Sequence, residues 1–194
     1  MQGAVPNGAG GMAAILGLPT DRVEEACRQA SVQGIVAPAN YNCPGQVVIS
    51  GEKNAVAYAI EAAKKLGAKR AIPLMVSGPF HSRLMEKMGE ELRTVLEGVS
   101  WQTPGCPVIA NVNGREVISP EQTVQALVEQ VSGAVLWEQS VRYLLELGVD
   151  TFVECGPGKV LTGLVKKIAP DANLLRVEDM ASLEKSLAYL KESR

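Results

Sequence analysis

The strongest constraint on the fold is the order in which two apolar periods alternate before residue 77. Gly11-Met12-Ala13-Ala14-Ile15-Leu16 is a short apolar run closed by Gly17 and Pro19, which suits a strand. Val23, Ala26, Cys27 and Ala30 then recur at helical spacing; Thr20 and Asp21 can cap this helix, with Glu24 three residues beyond Asp21 as in a capping box. Gly34 follows its end. Residues 35–41 and 46–50 read as two strands joined by the turn sequence Asn42-Cys43-Pro44-Gly45. A second helix starts near Glu52, carries the stripe Val56, Ile60, Ala63 and Leu66, and stops at Gly67 ahead of a strand over residues 71–76. Strand, helix, strand, strand, helix, strand is the order of a ferredoxin-like unit.

Beyond residue 77 the pattern changes to longer helices between isolated strands, as in an α/β layer structure. Leu84, Met85, Met88, Leu92, Val95 and Leu96 share one helical face up to Gly98. Strands are expected at 107–112, 151–154 and 174–177, and helices at 120–131, 138–147, 160–168 and from Ser182 onward, with Gly156-Pro157-Gly158 turning the chain between two of them. The fold class is therefore α/β: a ferredoxin-like subdomain over residues 8–76, and part of a larger parallel-sheet subdomain from residues 1–7 and 77–194. A small subdomain followed by only part of a parallel layer is oddly proportioned, which suggests that an N-terminal segment is missing upstream. No internal repeat or low-complexity linker marks a separate module.

Composition narrows the function classes. Of 194 residues 46% are apolar and 21% charged, with a net charge of -2, so no broad basic field draws in nucleic acid or anionic lipid. No apolar run approaches the roughly 18 to 20 residues of a membrane span, and the N-terminus lacks the charged and apolar regions of a secretory leader. The chain reads as cytoplasmic. Cys27, Cys43, Cys106 and Cys155 form no C-x-x-C pair and read as reduced structural thiols; with a single histidine, neither a metal site nor a bound cofactor is expected.

That histidine, His81, lies in Val76-Ser77-Gly78-Pro79-Phe80-His81-Ser82, after one expected strand and at the start of a helix. α/β folds gather reactive groups at such positions, and a neutral imidazole is a general base near pH 7. A lone histidine at a helix start is at least as often a surface or capping residue. A base needs a nucleophile, yet the chain contains no G-x-S-x-G elbow, and Cys155 in Val153-Glu154-Cys155-Gly156-Pro157 lacks the first glycine of a cysteine equivalent. Ser77 and Ser82 read as structural.

The segment around His81 closely resembles malonyl-CoA:acyl-carrier-protein transacylases of fatty-acid synthesis, together with Tyr41-Asn42-Cys43-Pro44-Gly45-Gln46-Val47-Val48-Ile49-Ser50-Gly51 and Glu154-Cys155-Gly156-Pro157-Gly158-Lys159-Val160-Leu161. Gln2-Gly3-Ala4-Val5-Pro6 with Gly11-Met12-Ala13-Ala14-Ile15, Ala110-Asn111-Val112-Asn113-Gly114, and Trp137 before a helix fit the same family in order and spacing. The resemblance implies a larger subdomain like that of the α/β hydrolases. It also implies a mechanism in which a serine attacks the malonyl thioester of malonyl-CoA, a histidine takes its proton, and the acyl-serine is opened by the phosphopantetheine thiol of acyl carrier protein. His81 matches the histidine. Gln130 matches the residue whose backbone carbonyl orients it, and Asn42 matches a neighbouring polar residue; by pattern alone these are a helix-terminal glutamine and a turn asparagine.

The resemblance also marks what this chain lacks. The family's nucleophilic serine, its early glycine-rich segment and the arginine that clamps the malonyl carboxylate all precede the residues matching Met1 and Gln2, so the chain alone is expected to be inactive. It reads as the C-terminal two-thirds of the enzyme, to be completed by a separate or missing N-terminal segment, or as a non-catalytic module that binds carrier protein or CoA. Phe80 matches a phenylalanine that accompanies malonyl preference, or is an ordinary core aromatic. Lys64, Lys65, Lys69 and Arg70 form a basic cluster able to steer an acidic carrier protein, or are a solvated helix face.

Overall fold

The computed structural model describes residues 8–76 and 78–192. The motif residues Gln2 to Pro6, and Ser77, lie outside the described residues. The chain divides into two compact units, Met1–Ser140 and Val141–Arg194.

The first unit opens with β1 (Gly10–Leu16), α1 (Thr20–Ala30), β2 (Val36–Cys43), β3 (Gln46–Glu52), α2 (Lys53–Lys65) and β4 (Arg70–Pro73). The four strands form one sheet in the order β2-β3-β1-β4, every neighbouring pair antiparallel. Side chains alternate across a strand, so each apolar strand here can bury both faces. Ala13 and Ile15 of β1 face a core with Val47 and Ile49 of β3 and the helix residues Val23, Ala26, Ala30, Ala55, Ala59 and Ala63. Alanine on both helices lets α1 and α2 approach closely. Met12 and Val48 point the other way, into a smaller cluster with Ala39, against which Ala14, Leu74 and Phe80 pack.

Several local expectations are corrected. The capping box read at Asp21 and Glu24 does not form: α1 starts after Pro19 without a side-chain cap, and Glu24 instead accepts the Tyr41 hydroxyl at 3.1 Å. The strand expected over 71–76 spans only Arg70–Pro73, because Val76 N–H turns back to donate to Leu74 O at 3.0 Å. Cys27 is buried and its thiol is pushed up to about 12 by desolvation, and burial together with the Glu24 charge raises the Tyr41 phenol to about 12.

The first unit continues through a 3₁₀ turn at Arg83–Met85, α3 (Glu86–Leu96), β5 (Val108–Ala110), β6 (Arg115–Val117), α4 (Pro120–Ser132) and α5 (Trp137–Glu146), in which the unit boundary falls. The strand expected over 107–112 is only Val108–Ala110, and it pairs antiparallel with β6, which periodicity did not reveal because it is so short. A reciprocal N-terminal cap is found on α4: Ser119 Oγ accepts from Gln122 N–H at 3.2 Å, and Gln122 Oε1 accepts from Ile118 N–H at 2.9 Å.

The second unit contains β7 (Thr151–Cys155), α6 (Val160–Ile168), β8 (Asn173–Val177) and α7 (Met180–Glu192), with β7 and β8 paired in parallel. Glu154 turns from β7 onto the start of α6, where it accepts from the N–H groups of Leu161 at 3.0 Å and Thr162 at 2.7 Å and from the Thr162 hydroxyl. Gly158 N–H donates to Glu178 at 2.9 Å, so two carboxylates hold the loop between β7 and α6. No described helix is long and apolar enough to cross a membrane. No disulfide joins the four cysteines; Cys27 and Cys43 are buried, Cys106 and Cys155 exposed.

Candidate active site

His81 is reached from β4 by a segment fastened to the sheet. Leu74 N–H donates to Met12 O at 2.9 Å, extending the ladder past β4. Pro79 is fully buried over Gly10, where an added Cβ would lie 2.5 Å from Pro79 Cδ, so the strand must be bare at this point for the proline to seat. Phe80 packs beside Met12, Ala39 and Val48. The buried Ser82 hydroxyl donates to Pro79 O at 2.6 Å, closing a short turn around the histidine.

Within that turn His81 has φ 57, the one positive φ at a non-glycine residue among those described. The left-handed conformation costs an L-residue about 1–2 kcal/mol, and histidine is one of the types that tolerate it best. Strain of this kind persists where surrounding contacts over-determine it. Here Pro79, Phe80 and Ser82 fix the backbone on either side. The sequence expectation that a helix begins at His81 is thus corrected: the residue stands in a turn, ahead of the 3₁₀ turn and α3.

The imidazole is half-buried and faces the C-terminal end of α4. Its Nδ1 lies 3.0 Å from the carbonyl oxygen of Gln130 and 3.1 Å from that of Gly133. Both carbonyls accept, and both lie closer than the Gln130 side-chain nitrogen at 3.4 Å, so Nδ1 carries the proton and Nε2 keeps its lone pair. The carbonyls are held in place by the chain that follows. Val135 N–H donates to Ala39 O at 2.8 Å and Tyr41 N–H donates to Val135 O at 2.9 Å, adding one residue in parallel to the edge of β2, while Leu136 N–H donates to Asn111 O at 2.7 Å. Ring and acceptors are thereby tied to the same sheet.

The structure brings together His81, Phe80 and Gln130; the other expected residues make no hydrogen bond to the ring. Asn42 is the extra residue of an irregular pairing between Tyr41 and Cys43 in β2, and it makes no hydrogen bond to His81. Lys64 pairs with Glu61 at 2.7 Å, and Lys65, Lys69 and Arg70 are exposed between α2 and β4. Gly133 and Ser82 were missed as site residues. Ser82 stands three residues after Pro79, the spacing of a hydroxyl that closes a turn, but a backbone carbonyl such as that of Gly133 leaves no mark in a sequence. No group of three or more potential metal ligands occurs among the described residues.

An imidazole whose Nδ1–H is held by neutral carbonyls has an Nε2 able to accept a proton from a hydroxyl or thiol. The chain belongs to the acyl transferase domain family, whose model matches residues 2–185. It is 42% identical over 95% of its length to a malonyl CoA-acyl carrier protein transacylase of Staphylococcus aureus, and it spans 60% of that relative. A solved acyl-carrier-protein S-malonyltransferase of Burkholderia pseudomallei is 46% identical with a TM-score of 0.95, covering 97% of this chain and 61% of its own. A malonyl-transacylase solved in complex with the acyl-carrier protein of a type II polyketide synthase is 44% identical with a TM-score of 0.94, again over 97% and 61%. The chain therefore spans about three-fifths of the relatives it matches.

Proposed function

We propose that this chain carries the general-base side of an acyl-transfer site that moves a malonyl group from malonyl-CoA to the phosphopantetheine thiol of acyl carrier protein. The observation that carries the reading is the His81 ring, whose Nδ1–H donates to two carbonyl oxygens and so leaves the lone pair on Nε2. In the first half-reaction Nε2 takes the proton of a serine hydroxyl as its oxygen bonds to the thioester carbon; collapse of the tetrahedral adduct breaks the C–S bond, and the imidazolium returns the proton to the departing CoA sulfur. In the second, Nε2 takes the carrier thiol's proton, sulfur attacks the acyl-serine carbonyl, and the proton goes back to the serine oxygen.

No G-x-S-x-G elbow occurs in the sequence. We therefore expect the 194-residue chain alone to form no acyl-serine and to act only with a polypeptide that supplies the nucleophile. The same absence favours a second reading, a module that binds carrier protein or CoA and transfers nothing. Incubation with radiolabelled malonyl-CoA and carrier protein separates the two. Label passing to the carrier when a segment equivalent to the relatives' uncovered part is added, and lost with His81→Ala, supports the enzyme; carrier binding with no label under either condition supports the module.

The finer assignments belong to the same proposal. The antiparallel order β2-β3-β1-β4 with α1 and α2 on one face supports a ferredoxin-like subdomain over residues 8–76, and the parallel β7 and β8 pair supports part of a larger hydrolase-like layer in the remainder. Phe80, one residue before His81, is inferred to narrow the acyl pocket toward malonyl; Phe80→Ser in the completed enzyme is expected to raise use of methylmalonyl-CoA relative to malonyl-CoA. The exposed Lys65, Lys69 and Arg70, with Lys64, are inferred to steer the carrier. Asn42 is inferred to lie toward the substrate side of the site, and the protein to work in the cytoplasm.

A further inference from the structure

We propose that the side-chain amide of Gln130 and the carbonyl of Gly133 together set the tautomer of His81, making Gln130 a positioning residue through its side chain as well as its backbone. The inference rests on reading His81 as a base. Gln130 Nε2 donates to Gly133 O at 3.0 Å and reaches Ala134 O at 3.4 Å. With two carbonyl oxygens on that side of the amide, chemistry requires the NH₂ group there, since the reversed amide would set oxygen against oxygen. Gly133 O thus receives two donors, the Gln130 amide and the imidazole Nδ1–H, one for each lone pair.

Three carbonyl oxygens, those of Gln130, Gly133 and Ala134, converge on this corner, and their dipoles repel one another unless donors lie between them. The imidazole supplies one donor and the Gln130 amide supplies the other. Gln130 Nε2 also lies 3.4 Å from Nδ1; both are donors, so this approach is not a bond, and it leaves the two carbonyls as the only acceptors of the ring proton. Gly133 cannot be replaced freely. An added Cβ would meet Val112 Cγ2 at 2.7 Å and Glu129 O at 2.8 Å, so any side chain moves the carbonyl that His81 uses.

The consequence is a tautomer fixed without a carboxylate. An orienting carboxylate would hold the imidazolium as well as the imidazole, whereas a fork of neutral carbonyls fixes the direction of the ring and leaves Nε2 to exchange its proton with whatever it faces.

Because the chain has one histidine, its imidazole gives a single set of ring-nitrogen resonances in the full chain. The parent is expected to show protonated Nδ1 and bare Nε2 when the ring is neutral. Gln130→Met keeps the volume and removes the amide; it is expected to raise the share of the Nε2–H form and to speed exchange of the Nδ1 proton by about tenfold, the factor that one net hydrogen bond is worth. Gly133→Ala should act in the same direction by displacing the carbonyl, and provides the reading if the methionine variant does not fold. A parent with Nε2–H, or folded variants whose tautomer and exchange match the parent, would overturn the proposal. The measurement needs no substrate, so failure of malonyl transfer with the tautomer intact would count against the proposed function alone.

Discussion

At the scale of single residues, the left-handed turn at His81 is the costliest choice the described backbone makes, and it can be measured. Replacing His81 by glycine or by alanine removes the ring in both cases but relieves the backbone only in the first. The glycine variant is expected to be the more stable by about 1–2 kcal/mol in urea melts. Equal stabilities would mean that the turn is not strained. His81 itself was legible as a candidate because it is the sole histidine in a Gly-Pro-Phe-His run. Its conformation was not legible: φ 57 occurs in a turn whose Pro79 seats over Gly10, a long-range contact that no local pattern encodes.

A buried thiol and a half-buried phenol give a second prediction at this scale. The Cys27 thiol and the Tyr41 phenol are both raised to about 12 in the folded chain, the thiol from 9.0 and the phenol from 10.0. The folded state therefore holds protons that the unfolded chain releases, so stability is full below pH 9 and is lost as pH rises from 9 toward 12. Urea midpoints measured across this window should fall, and Cys27→Ala combined with Tyr41→Phe should flatten the slope relative to the parent.

At the scale of elements, expectation and structure differ at helix starts and in the lengths of short strands. Asp21 and Glu24 have capping-box spacing, but α1 starts after Pro19 and Glu24 accepts the Tyr41 hydroxyl of β2. Ser119 with Pro120 and Gln122 carries the stronger signal and forms the cap. Ser119→Ala is expected to cost about 1 kcal/mol in a urea melt. In the second unit the cap of α6 comes from Glu154, a strand residue. Burial opposes ionisation of its carboxyl, but the Thr162 hydroxyl and the Thr162 and Leu161 N–H groups outweigh this and hold it below the usual carboxylate range. A depressed carboxylate contributes stability above the unfolded value of 4.5 that is lost as pH falls below it. Glu154→Gln should be destabilised at pH 7 and should show a shallower loss between pH 5 and pH 3 than the parent. The helical stripes of α2, α4 and α6 were readable to within a residue or two. Strands of three residues such as β5 and β6 were not, because a period of two needs more than three positions to declare itself.

At the scale of the whole molecule, the two units are unequal in how well they bury their apolar residues. The β-sheet of the first unit is packed on both faces, and Ile15 and Ile49 are fully buried. Ile15→Ala is expected to cost about 2–5 kcal/mol by chemical denaturation. In the second unit β7 and β8 form a parallel pair of only two strands, with Val153, Val160 and Leu161 exposed. Parallel sheets are ordinarily covered on both faces, and two strands alone are marginal. The order of β7, α6 and β8 was legible from their apolar periods. The extent of the exposed surface could be seen only once the strands were paired.

The hydrogen bonds that add Val135 to the edge of β2 have one further consequence. Gln130 supplies one acceptor to the ring, Gly133 supplies the other, and Val135 is stitched to Ala39 and Tyr41, so the stretch from Gln130 to Val135 works as a ruler whose length sets the reach of α4 to the imidazole. A single residue inserted there would carry one carbonyl away from the ring whatever its chemistry. The stretch over residues 102–107, by contrast, is mostly exposed and carries no carbonyl that the ring uses. Natural variation in loop length should accumulate in the latter and be missing from the former.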